Sequence, residues 1–96
     1  MNTFRKKYQS DMLRISIDME RTGESIKRHI KDSGYSIDEI MTLTGVSTPQ
    51  AVYKWMSGKG IPTIENLIAL GMLFGVEATD LIVLEENDSF ERQRVI

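Results

Sequence analysis

The sequence predicts an all-α domain: a compact bundle of five short helices carrying a short two-stranded β appendage. Three observations predict it. Apolar residues recur at helical spacing in short segments across residues 22–82. These segments are opened by hydroxyl side chains or proline, and most are closed by glycine. Residues 13–19 instead alternate apolar and polar, the period of a strand with one buried face. With 96 residues and 41% hydrophobic content, the chain can form one domain with a modest core.

Within 1–21, an N-terminal extension, residues 1–12 are polar and mixed in charge. Leu13, Ile15, Ile17 and Met19 then alternate with Arg14, Ser16 and Asp18. A lone strand leaves its backbone groups unpaired, so 13–19 needs a partner. The other β-prone segment is 81–84, and the pairing can lie within one chain or across a dimer. Thr22 is the expected cap of the first helix, which places Ile26 and Ile30 on one face and stops at Gly34. Ser36 opens the second helix, with Glu39 three residues on in a capping-box pattern. Ile37, Ile40, Met41 and Thr44 follow at helical spacing, and Gly45 closes it. Val46 is the apolar plug of the turn.

Thr48 caps the third helix and Pro49 occupies its first position, where the missing N–H costs nothing. Val52, Trp55 and Met56 form its buried stripe, and Gly58 stops it. Pro62 and Thr63 open the fourth helix, with Ile64, Leu67, Ile68, Leu70, Gly71 and Phe74 as a wide apolar face, and Gly75 closes it. A last short helix covers 78–82. The unit 22–84 is thus one domain, and 85–96 is a polar tail.

The net charge is −2, but its distribution is uneven. Residues 1–35 carry eight Lys/Arg against five Asp/Glu, whereas 63–96 carry two against seven. Attraction to a polyanion follows the local field, so the total does not decide it. There is no cysteine and a single histidine, His29, so a metal site lacks converging soft ligands. His29 is expected as a half-buried residue of the first helix. No nucleophile–base set, paired-carboxylate motif or phosphate loop is present, which argues against an enzyme. No cofactor or small-molecule ligand is expected. Without a signal-like or membrane-length apolar run, the chain is expected to be soluble and cytoplasmic.

The second and third helices, joined by a glycine turn with an apolar plug, form a helix-turn-helix. From Pro49 to Trp55 the chain reads PQAVYKW, followed by Gly58, Lys59, Pro62, Thr63, Ile64, Asn66 and Leu67. In this ordered set residues 22–84 resemble the phage Cro/repressor-like (XRE) helix-turn-helix family, in the flavour of small bacterial regulators. The resemblance implies the lambda-repressor-like five-helix fold, with a recognition helix at about 48–57 in the major groove of double-stranded DNA. It also implies phosphate clamps at the start of the second helix and in the loop after the third.

On that frame, candidate base contacts are Thr48, Gln50, Ala51 and Lys54. A glutamine amide both donates and accepts, which matches adenine N6 and N7 and provides about 1–3 kcal/mol of discrimination. The Ala51 methyl either touches a thymine methyl or leaves room for the backbone. Lys54 reaches guanine O6/N7 or a phosphate, with the groove favoured. Candidate backbone contacts are Ser36, Ser47, Tyr53, Ser57, Lys59, Gly60, Lys27 and Lys31. Tyr53 either donates to a phosphate or packs on the second helix. Lys27 and Lys31 are equally consistent with a solvated face.

Three departures from the family pattern stand out. The turn is one residue longer than usual. Ile37 stands where many members place a phosphate-binding glutamine. Ile30 and Met56 replace an arginine–glutamate pair, so the two are expected to touch. The implied function is a transcriptional regulator acting as a homodimer on a palindromic operator, with 13–19 as the candidate dimerisation element. The alternative is an antitoxin-like or adaptor module that keeps the fold and acts on a protein partner.

Overall fold

The computed structural model describes residues 15–86. Four α-helices follow in order: α1 (Met19–Ser33), α2 (Ile37–Thr44), α3 (Pro49–Met56) and α4 (Ile64–Phe74). A single 3-10 turn, Ala78–Leu81, takes the place of the fifth helix expected at 78–82. Only Leu81 of that turn is buried, so one apolar anchor holds it. Four residues close a 3-10 turn but cannot propagate an α-helix.

Local signals account for most boundaries. The Ser36–Glu39 capping box is complete: Glu39 N–H donates to Ser36 Oγ (3.1 Å), and Ser36 N–H donates to Glu39 Oε1 (2.8 Å). Thr48 accepts from Ala51 N–H at 3.3 Å and Thr63 from Asn66 N–H at 3.2 Å. Pro49 occupies the first turn of α3. Gly34, Gly45 and Gly75 end α1, α2 and α4 in the left-handed region. The end of α3 differs slightly from expectation, because Ser57 is its C-cap and Gly58 (φ 77°) follows.

The N-terminal boundary departs further. Asp18, rather than Thr22, caps α1, accepting from Arg21 N–H at 2.9 Å. Thr22 is buried, and its hydroxyl donates to Val83 O (3.2 Å) and accepts from Val83 N–H (2.9 Å). The expected strand 13–19 is therefore cut short by helix from Met19 onward, and Leu13 and Arg14 lie outside the described residues. What remains of the two-stranded appendage is one isolated antiparallel bridge, Ile17 to Leu84, within the chain. Asp18 N–H donates to Val83 O and Glu85 N–H to Ser16 O, both at 2.8 Å. There is no strand among the described residues. Nor is the face buried: Ile15 and Ile17 are both exposed.

The core is built from Ile26 and Ile30 of α1, Ile40 of α2, Val52 and Trp55 of α3, Leu67 and Leu70 of α4, and Leu81. Met56, in place of a charged partner for position 30, is half-buried and packs against this cluster, which includes Ile30. Ile37, Met41, Val46 and Phe74 close its margins. Two helical residues of the expected α4 apolar face lie outside the core: Ile64 and Ile68 are exposed.

Gly23 has a tertiary role. A Cβ there would sit 2.6 Å from Gly58 N, and a Cβ at Gly58 would sit 2.7 Å from Met19 O. The first turns of α1 thus cross the turn after α3 backbone to backbone. Only glycine permits that approach at either position, and Gly58 in addition needs its positive φ.

Candidate nucleic-acid interface

The geometry of α3 follows from its two anchors. Val52 and Trp55, three apart, are buried in the core. At about 100° per residue, Gln50 and Lys54 then share the opposite surface one turn apart. Both are exposed, as is Tyr53, and Ala51 is half-buried. Thr48 and Ser47 are exposed at the N-terminal end, where Thr48 also caps the helix. Gln50, Ala51, Tyr53 and Lys54 thus lie on α3, with Ser47 and Thr48 at its N-terminal end.

The turn that ends α3 is held by its own residues. Ser57 Oγ donates to Lys54 O (3.1 Å), and Lys59 N–H donates to the same carbonyl (3.1 Å). Lys59 and Ser57 are exposed and Gly60 is half-buried. The stem of Lys54 folds back over this turn: its Cε lies 2.9 Å from where a Gly60 Cβ would be. Tyr53 is 54% exposed.

At the start of α2, Ser36 is exposed but its amide is already taken by Glu39, and Asp38 and Glu39 occupy the first turn. Ser36 therefore has only its hydroxyl hydrogen to offer an anion, beside two carboxylates. Ile37 is half-buried against the core and has no side-chain donor. Lys27 and Lys31 are exposed on one face of α1, and Lys31 also lies in that helix's last turn, where a cation is favourable. His29 is half-buried: its Nδ1 is 2.7 Å from Ser25 O and its ring lies tilted on Phe74 at 5.6 Å. Among the described residues no group of three or more His, Cys, Asp or Glu converges. No helix there is long and apolar enough to cross a membrane.

Sequence reasoning missed two features. An isolated glycine inside a helical pattern is a packing signal, and Gly23 is one. The outer face of α4 carries Ile64 (63% exposed), Ile68 (50%) and Met72 (79%) at i, i+4, i+8. Its signal was an apolar arc too wide for one core to cover.

An exposed polar helix, capped by threonine, held by a preceding helix through a glycine turn and followed by a lysine-bearing turn, defines a helix-turn-helix domain. A family model described as helix-turn-helix matches residues 26–81, and the chain belongs to that family, the Cro/repressor-like type of DNA-binding transcription regulators. No curated protein matches the chain. Among solved structures, the restriction-modification controller protein C.AhdI from Aeromonas hydrophila is similar. It is 19% identical, with a TM-score of 0.59, over 67% of this chain and 96% of that one. At that identity the likeness is one of fold.

Proposed function

We propose that this protein is a sequence-specific regulator of transcription that places α3 in the major groove of double-stranded DNA. The observation that carries the reading is the division of α3: Val52 and Trp55 lock one side into the core, while Gln50, Tyr53 and Lys54 are exposed on the others. Gln50 and Ala51 meet base edges, with Thr48 at the helix start. Ser47, Tyr53, Ser57, Lys59 and Gly60 take phosphates on the same side. Lys27, Lys31 and the Ser36 hydroxyl are secondary backbone contacts.

One domain supplies few base contacts, so the working form is a homodimer on a palindromic operator, with half-sites about 10 base pairs apart centre to centre. The bridge between Ile17 and Leu84 is made within the chain. The apolar stripe of Ile64, Ile68 and Met72 supports self-association through α4, because soluble monomers seldom leave such a patch uncovered.

A gel shift with a randomised duplex pool, titrated with salt and paired with light scattering, tests this reading. The expected result is salt-sensitive binding by a dimer. Absence of any salt-sensitive binding rejects it.

A further inference from the structure

We infer that Lys54 contacts the DNA phosphate backbone, not a base, with its stem lying in the space that Gly60 leaves open. The inference rests on α3 lying in the major groove, and it assigns that helix's lysine a different job from its neighbours. Gly60 is the only one of the seven glycines whose missing Cβ would have side-chain atoms as its nearest neighbours. Gly23, Gly58 and Gly71 are crossed by backbone, and nothing lies near Gly34, Gly45 or Gly75. Nor does backbone conformation require glycine at 60, since the positive-φ glycines are 34, 45, 58 and 75.

What occupies the space is the Lys54 stem: Cγ, Cδ and Cε lie 3.3, 3.2 and 2.9 Å from the Gly60 Cβ position. The side chain therefore runs away from the N-terminal, base-facing end of α3 and along the turn 58–61. Its ammonium, one bond beyond Cε, is delivered to the turn that carries Lys59. The Lys54 carbonyl holds the same turn through Lys59 N–H and Ser57 Oγ. A lysine ammonium is a point charge suited to a phosphate, whereas a bidentate base contact needs an outstretched, aligned side chain. Lys54 and Lys59 together form a two-cation clamp on one phosphodiester stretch, and base discrimination falls to Gln50, Ala51 and Thr48.

The experiment compares wild type with Lys54→Met, which keeps the apolar stem on Gly60 and removes only the charge. Base preference is measured by binding-site selection and affinity over 50–200 mM salt, with circular dichroism as a check of fold. The expected result is an unchanged preference at every base pair and a log–log salt slope shallower by about 0.9 per subunit. Across that salt range the wild-type advantage then shrinks about 3.5-fold per subunit. Loss of preference at any base pair, with or without a change of slope, overturns the assignment. A second arm uses Gly60→Ala. It should weaken binding in the wild-type background and add little in Lys54→Ala, where the stem is gone; additive losses would contradict the seating role. Wild-type protein without sequence preference would remove the underlying major-groove reading, and is seen before any variant is compared.

Discussion

The helices α3 and α4 are built on the same core and turn opposite chemistries outward. The exposed residues of α3 are Gln50, Tyr53 and Lys54; the outer stripe of α4 is Ile64, Ile68 and Met72. Hydrogen-bonding and cationic groups suit a hydrated polyanion, whereas three large apolar side chains in a row suit another apolar surface. A helix's inward pattern therefore does not determine the chemistry of its outer face. Val52 and Trp55 do for α3 what Leu67 and Leu70 do for α4, yet one outer face is polar and the other apolar.

The comparison breaks most completely when the shared core is removed. Trp55→Ala should cost about 3–5 kcal/mol of stability and abolish both faces together, as read by urea unfolding. Next in size, Ile68→Lys should separate them. Its unfolding free energy should stay within about 0.5 kcal/mol, since a surface position is changed. The protein should run as a monomer in sedimentation, with operator affinity down about 100-fold from lost bivalency. Gln50→Ala should do the reverse: dimer and fold intact, with about 1–3 kcal/mol of discrimination lost at one base pair of each half-site. The smallest effect is Thr48→Ala. Losing the cap should lower stability by about 1 kcal/mol in thermal unfolding, with a smaller loss of base discrimination than Gln50→Ala.

What the sequence made legible was whatever is decided within a few residues. Ser36, Thr48 and Thr63 cap as expected, and Gly34, Gly45 and Gly75 close their helices, because each bond is made locally. Thr22 was misplaced because its partner, Val83, is 61 residues away. The alternation in 13–19 is real, but Asp18 offers a helix cap in its midst, and from Met19 the helix wins. Ile64 and Ile68 read as core because an arc of apolar residues does not say how much of itself one small core can cover. The exposed side of α3 was legible from the positions of Val52 and Trp55 alone. The path of Lys54 was not, because it depends on the turn returning to place Gly60 beside it.

Whether α3 reads bases while α4 pairs two copies is measured by binding-site selection with wild-type protein from a fully randomised duplex pool. The expected result is an enriched two-fold symmetric motif whose half-sites lie about one helical turn apart. A pool that returns no enriched motif, or a single unrepeated half-site bound by a monomer, would contradict it.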